Sequence, residues 1–241
     1  VPRSGTTDAK KNELKPWLKK QWCIAPEHNA QFVCRMEDIL NVYHRTYDPL
    51  YPVVCMDEST KQQIRETKVP IPIGPGQPER IDHEYERNGV GHLFMFSEPL
   101  AGRRFVEIRD QHTKAEWVEC MSKLVEQEYP EALKITVVLD NLSTHTPEAF
   151  YDFLPPQKAR SILDRLEFHF TPKHGSWLNM AEIEFSALQR ECLDRRIPDR
   201  ATLVDEIAAW QKQRNSTSKK VDWQFTTSDA RVKLKRFYPV I

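Results

Sequence analysis

Three acidic residues of this chain lie where a metal-dependent phosphoryl-transfer site would need them. Asp57 ends the apolar run Tyr51–Met56, and Asp140 ends the apolar run Ile135–Leu139. Glu182 lies in a segment with the periodicity of a long helix. Carboxylates at the ends of two strands and on a neighbouring helix form an oxygen ligand set suited to Mg²⁺ or Mn²⁺. Because 35 Asp and Glu residues also give many accidental triples, the prediction depends on the residues around these three.

Those surrounding residues form three motifs. They are Val54-Cys55-Met56-Asp57-Glu58, Val138-Leu139-Asp140-Asn141 with His145 five residues past the Asp, and Thr171-Pro172-Lys173-His174-Gly175-Ser176-Trp177-Leu178-Asn179-Met180-Ala181-Glu182. Over about residues 12–241 the chain resembles the catalytic domain of mariner-superfamily transposases, in their bacterial insertion-sequence branch. In that family Asn follows the second Asp, a His comes a few residues later, and the closing Glu follows an Asn by three positions. This chain departs from the family in one respect. It has 41 residues between Asp140 and Glu182, where the superfamily has a separation in the mid-thirties, and the added length falls in Tyr151–Leu166.

The resemblance implies a cut-and-paste DNA transposase. Such an enzyme hydrolyses a phosphodiester at the transposon end and joins the freed 3′-hydroxyl to target DNA, at a TA dinucleotide in this family. Asp57, Asp140 and Glu182 are then the catalytic carboxylates and hold two Mg²⁺ or Mn²⁺ ions per site. The expected partners are transposon-end and target DNA and a second copy of the chain, with no membrane and no nucleotide cofactor. The expected location is the bacterial cytoplasm, with action at the nucleoid.

The order of predicted elements is that of a ribonuclease-H-like α/β fold, with a mixed central sheet flanked by helices. Periodicity gives the order, and the family resemblance gives the name. The predicted helices are Ala30–Tyr43, Thr113–Tyr129, Ser161–Leu166, Ser176–Arg195, Leu203–Gln211 and a basic helix over 227–237, and the predicted strands are Val53–Asp57, Val90–Ser97, Arg103–Arg109, Ile135–Leu139 and Glu167–Phe170.

The predicted domain organisation is an N-terminal arm or linker over residues 1–29 and one catalytic domain over residues 30–241. Residues 60–88 contain prolines at 70, 72, 75 and 78 and are predicted to form an inserted loop. The resemblance implies a clamp-like loop that reaches a partner subunit, and a disordered surface loop is the alternative. The chain begins Val1-Pro2-Arg3-Ser4-Gly5, from a cleavage scar or a native linker, and shows no helix-turn-helix. We therefore expect a fragment whose end-recognition modules lie elsewhere.

Composition sets further bounds on the protein. No apolar run approaches the roughly 18 residues that a membrane span needs, and the five cysteines include no C-x-x-C pair. Formal net charge is zero, but residues 211–241 hold eight Lys or Arg against two Asp. Lys233, Lys235 and Arg236, which we call the C-terminal cations, are predicted to contact DNA phosphates. A solvated helix face is the alternative.

Several residues near the three carboxylates are open to more than one interpretation. On a helical projection Glu182 and Glu184 flank the same apolar stripe on opposite edges, so geometry does not choose between them. The Asn-x-x-Glu motif of the family favours Glu182. Asn141, His145 and His174 are predicted site neighbours, with a loop role as the alternative for each. Two further predictions are that Glu58 points to the opposite sheet face as a bystander and that Ser176 is the N-cap of the Glu182 helix.

Two other functions remain open on the sequence alone. The first is another ribonuclease-H-like nuclease, which would use the same metal ions but would not join strands. The second is a non-catalytic DNA-binding module descended from a transposase. Retention of all three carboxylates argues against the second, because a binding module gains nothing from clustered negative charge. A carboxylate-pair glycosidase is disfavoured, since it requires neither motif.

Overall fold

The all-apolar run Ile135–Leu139 forms a central strand, and all five of its residues are buried. In the computed structural model, which describes residues 29–239, it is β4 of a five-stranded sheet with the order β3-β2-β1-β4-β5. The β1–β4 and β4–β5 pairs are parallel, whereas β1–β2 and β2–β3 are antiparallel. The sheet is therefore mixed, as predicted.

The strands are β1 (Val53–Glu66), β2 (Tyr85–Glu98), β3 (Arg103–Arg109), β4 (Ile135–Leu139) and β5 (Leu166–Phe170). The α-helices are α1 (Ala30–Tyr43), α2 (Lys114–Lys123), α3 (Ala149–Phe153), α4 (Pro156–Leu163), α5 (Ala181–Leu188), α6 (Arg200–Ser216) and α7 (Thr227–Lys233). Short turns of other helix types complete the set, with π turns at Leu124–Glu128 and Gln189–Leu193 and 3-10 turns at Ser176–Leu178 and Lys235–Phe237.

The sheet separates two apolar cores because successive strand residues point to opposite faces. Cys55 and Val138 belong to the core under α1, α5 and α6. The core under α2, α3 and α4 contains Val54 and Met56 of β1 and the remaining apolar residues of β4. The result is a three-layer arrangement in which every central strand is covered on both sides. No helix within the described residues has the length and apolar character needed to cross a bilayer.

The predicted loop over residues 60–88 is wrong at both ends. β1 continues to Glu66 and β2 begins at Tyr85, and the two strands pair out to their ends as a long antiparallel ribbon whose register shifts once, between Gln62 and Ile64. The connection closes through small bridges, Ile71 with Arg80 and Gly74 with Gln77. The outer part of the ribbon is largely exposed on both faces, so its residues lack the apolar alternation that would have predicted strands.

Helix starts also differ in detail from the predictions. Ser176 does not cap the Glu182 helix but begins a 3-10 turn, and α5 starts five residues later at Ala181. The predicted basic helix over 227–237 is α7 followed by a separate 3-10 turn, and Thr226 forms its capping box with Asp229. The predicted arm, residues 1–29, lies outside the described residues except for Asn29, which caps α1.

Candidate active site

Asp57 and Asp140 meet at one end of the sheet because β1 and β4 run in parallel. The register pairs Cys55 with Val138, so the acidic residue two positions beyond each lies at the same sheet edge and on the same face. Both side chains are half-buried. The Asp57 carboxylate accepts a hydrogen bond from the backbone N–H of Glu58 at 2.8 Å. The structure therefore brings together the first two predicted carboxylates.

Glu182 joins this group through Asn179, which is 1% exposed. The Asn179 side chain donates a hydrogen bond to the carbonyl of Met56 at 2.8 Å and accepts one from the backbone N–H of Ala181 at 3.1 Å. One amide thus ties the first residue of α5 to the residue that precedes Asp57. The start of the helix, with Glu182 in its first turn, is held beside β1.

Electrostatics also connects the three carboxylates. Burial raises the pKa of the Asp57 carboxyl to about 7, and the charges of Asp140 and Glu182 add to this rise, against the lowering effect of the Glu58 backbone hydrogen bond. Over residues 29–239, however, no three His, Cys, Asp or Glu side chains are assembled into a metal-ligand cluster. The three groups are close enough for their charges to interact, but their oxygens do not surround a common point.

His145 is completely buried and bridges two carboxylates. Its Nδ1 lies 2.9 Å from Asp140 Oδ1, and its Nε2 lies 2.7 Å from Glu58 Oε1. Burial lowers the pKa of the imidazole, but the hydrogen bonds and charges of Asp140 and Glu58 outweigh it and raise the pKa to about 9. Glu58 does point to the opposite sheet face, as alternation predicts. Alternation alone did not predict its connection to the carboxylate group, which His145 makes by contacting both Glu58 and Asp140.

Glu184 lies apart from this group, in a buried ion-pair network. Its Oε2 is 2.7 Å from Nε of Arg214 on α6 and 3.2 Å from Nε of Arg104 on β3. The contact with Arg104 has ion-pair distance without hydrogen-bond geometry. Glu184 is 2% exposed, so its predicted position at the margin of a packed face is wrong. The Glu184 carboxylate is thus paired with two Arg side chains, whereas Glu182 is half-buried beside Asp57.

The remaining predicted neighbours lie at the surface. Asn141 is exposed directly after Asp140, and His174 is exposed in the loop before the 3-10 turn with a left-handed φ of 63°. The C-terminal cations lie on α7 and the turn after it, which pack on α1. Lys233 is 3.3 Å from Asp229, and the Arg236 guanidinium lies 4.7 Å from the centroid of the Phe237 ring. The structure therefore brings none of these residues into the carboxylate group.

Comparison with known proteins identifies the class. The family model described as a DDE superfamily endonuclease matches residues 52–204, a segment that contains all three carboxylates. The match covers more than half of the chain, which therefore belongs to the DDE superfamily endonucleases. No curated protein sequence matches the chain.

Several solved structures of the Mos1 mariner transposase have a similar fold. The Mos1 strand transfer complex is 13% identical with a TM-score of 0.56, covering 90% of this chain and 69% of that one. The mariner Mos1 paired end complex with Mg is 15% identical with a TM-score of 0.55, covering 96% and 74%. The paired end complex with Mn is 14% identical with a TM-score of 0.53, covering 90% and 70%. These matches confirm the predicted ribonuclease-H-like fold and its likeness to the fold of a mariner transposase, whereas membership of the mariner superfamily and of its bacterial branch stays a prediction.

Proposed function

We propose that this chain is the catalytic domain of a cut-and-paste DNA transposase from the bacterial insertion-sequence branch of the mariner superfamily. It hydrolyses a phosphodiester at the transposon end and integrates that end into target DNA, with TA as the target dinucleotide. The proposal is carried by one observation. Asp57, Asp140 and Glu182 converge at one sheet edge within the segment that matches the endonuclease family, while Glu184 is withdrawn into an ion-pair network.

The donor set fits Mg²⁺ or Mn²⁺, because three carboxylates are the hard oxygen ligands that these ions prefer. Burial and neighbouring negative charge disfavour the ionised form of Asp57. Bringing the three carboxylates together around one ion would add repulsion between them, which the charge of the cation would offset. The Mos1 complexes with Mn and with Mg support the same choice of ions. We propose that Asp57, Asp140 and Glu182 would hold two such ions, whose positive charge would favour ionisation of the attacking oxygen and offset negative charge on the leaving oxygen.

The chain's own residues position these ligands and take no covalent part in the reaction. Strand register fixes Asp57 and Asp140, and Asn179 fixes the start of the Glu182 helix. His145 holds one oxygen of Asp140, and because its side chain is fully buried it does not contact the scissile phosphate. In the first step water attacks phosphorus, the bond from phosphorus to the 3′-oxygen of the transposon end breaks, and that oxygen takes up a proton and leaves as the 3′-hydroxyl. In the second step that hydroxyl attacks target DNA and a target 3′-oxygen leaves.

DNA and a second copy of the chain are the proposed partners, and the bacterial cytoplasm, at the nucleoid, is the proposed location. Residues 69–81, which we call the hairpin tip, lie in the connection between β1 and β2. They expose four large apolar side chains. Val69 is 92% exposed and Ile73 is 78% exposed, with Ile71 and Ile81 also exposed. Clustered apolar exposure of this kind is typical of an interaction surface, and the second subunit is the proposed occupant. The C-terminal cations supply sequence-independent contacts to DNA phosphates.

The test is an assay of the full-length enzyme on a labelled transposon-end duplex with Mg²⁺ or Mn²⁺, which scores cleavage and joining separately. Asp57→Ala and Asp140→Ala each abolish cleavage while the protein stays folded. Removal of a like charge leaves the melting temperature of Asp57→Ala unchanged or higher, whereas Asp140→Ala lowers it, because buried His145 loses a hydrogen-bond partner. Asp164→Ala is the matched control, because Asp164 is exposed and pairs only with Arg160 among the described ion pairs. Retained cleavage in Asp140→Ala overturns the site. Cleavage without joining supports the plain ribonuclease-H-like nuclease instead.

A further inference from the structure

One buried imidazole connects Glu58 to Asp140. The His145 side chain is 0% exposed and that of Glu58 is 12% exposed, so water has little access to the bond between them. Glu58 lies on the sheet face opposite Asp57, and Asp140 lies just beyond the end of β4. His145 therefore joins a carboxylate on one face of the sheet to a proposed metal ligand at the sheet edge.

Packing and hydrogen bonds together fix the orientation of the His145 ring. Trp117, itself fully buried, stacks on it with ring centroids 5.3 Å apart and an interplanar angle of 26°. Trp117 is in turn held edge-on by Phe150, at a centroid distance of 5.3 Å. Stacking fixes the plane of the imidazole but does not distinguish the two orientations related by a 180° flip about its Cβ–Cγ bond. The two carboxylates, one at each ring nitrogen, select the observed orientation.

We propose that Glu58 is a positioning residue for Asp140 and acts through His145. This inference rests on the metal-dependent function proposed above. A carboxylate accepts hydrogen bonds, so the ring nitrogen that faces it donates. Because each ring nitrogen of His145 faces a carboxylate, Nε2–H donates to Oε1 of Glu58 and Nδ1–H donates to Oδ1 of Asp140. Oδ1 of Asp140 is then fixed, and Oδ2 is the oxygen that this bond leaves to a cation.

Such an arrangement makes the adjacent pair Asp57-Glu58 act together although its side chains point to opposite faces. Asp57 contributes an oxygen to the cation directly. Glu58 orients the second ligand, Asp140, from the opposite face of the sheet. Partners that orient metal ligands typically contribute about 10- to 100-fold to metal affinity or activity. We expect an effect of this size on the binding of Mn²⁺ in the absence of DNA.

The experiment measures Mn²⁺ affinity by isothermal titration calorimetry and the His145 ring signals by ¹⁵N NMR. Glu58→Met keeps side-chain length and removes the acceptor, so it weakens Mn²⁺ binding about 10- to 100-fold and shifts the His145 ring signals. Glu58→Gln keeps an oxygen that accepts from Nε2 and recovers most of the affinity. Asp38→Ala is the matched control, because it removes a carboxylate 2.6 Å from Nδ1 of a different histidine, His169 of β5, and leaves Mn²⁺ affinity unchanged.

Wild-type Mn²⁺ affinity and unchanged His145 signals in Glu58→Met overturn the proposal, and Glu58→Ala is the substitute if the Met variant does not fold. A loss in Glu58→Gln as large as that in Glu58→Met also overturns it, because the charge of Glu58 rather than its hydrogen bond would then matter. Failure of the proposed function gives a different result. In that case Asp57→Ala and Asp140→Ala leave Mn²⁺ binding of the protein unchanged.

Discussion

Replacing Glu184 by Gln tests whether the second acidic residue of α5 is structural. Its carboxylate lies between Arg104 and Arg214, and the side chains of Arg104 and Glu184 are 1% and 3% exposed. Removing one partner of a buried ion pair costs about 3–5 kcal/mol, because the other charge stays buried and uncompensated. Gln keeps an oxygen that accepts one Arg hydrogen bond, so we expect the lower end, about 3 kcal/mol.

This free energy corresponds to a measurable change in melting temperature. Each kcal/mol shifts Tm by about 2–4 °C in a domain of this size, so Glu184→Gln lowers Tm by about 6–12 °C. Glu182→Gln is the matched control two residues away. The described part of the chain shows no ion pair to Glu182, so its Tm changes by less than about 2 °C. Circular dichroism melts measure both variants.

Cleavage assays below both melting temperatures complete the comparison. Glu182→Gln loses Mn²⁺-dependent cleavage by orders of magnitude, because the amide removes a charge that the metal requires. Glu184→Gln keeps cleavage, because the Glu184 carboxylate stabilises the fold and does not bind the metal ion. An unchanged Tm in Glu184→Gln together with lost cleavage would refute this reasoning and move the third ligand to Glu184.

Three further predictions concern the surface and the thiols. Replacing the hairpin tip by a short Gly-Ser turn weakens self-association or paired-end assembly in gel shift and light scattering more than it lowers Tm, and unaltered assembly contradicts the proposed subunit contact. Charge reversal of the C-terminal cations lowers affinity for any duplex and reduces the slope of log K against log salt by up to about 3, whereas an unchanged slope makes them a solvated face. Iodoacetamide at pH 8 modifies exposed Cys34 but not Cys55 or Cys120, because burial raises the pKa of each of those two thiols to about 12. Peptide mapping measures the alkylation, and modification of Cys55 or Cys120 in the folded protein contradicts the prediction.

The central elements could be predicted because local apolar patterns determine them. The helix Ala30–Tyr43 and the strands Arg103–Arg109 and Ile135–Leu139 have the predicted bounds. Outer β1 and outer β2 could not be predicted, because that part of the ribbon is stabilised by pairing between the two strands rather than by burial. A further backbone hydrogen bond, from the N–H of Ile64 to the carbonyl of Ile197, has no sequence signal at all.

The candidate site shows the same division between local and non-local causes. Asp57 and Asp140 follow from strand ends, and parallel pairing makes them neighbours. Glu184 differs from Glu182 because it pairs with Arg104 and Arg214, which lie on other elements. A helical projection of α5 alone does not show these partners. Alternation gave the correct face for Glu58. It gave no sign of the contact with His145, because that residue is 87 residues away in the sequence.

The unusual separation between Asp140 and Glu182 is compatible with an intact site because the added residues lie on the far side of the sheet. The segment Tyr151–Leu166 includes most of α3 and all of α4, which pack in the core opposite α5. Glu182 is positioned by other contacts, on its own face. Asn179 binds the carbonyl of Met56, and the Tyr43 hydroxyl donates to the carbonyl of Leu178 and accepts from the N–H of Met180. Since these contacts begin only after β5 has ended, chain length inserted before β5 does not change the relation of Glu182 to Asp57.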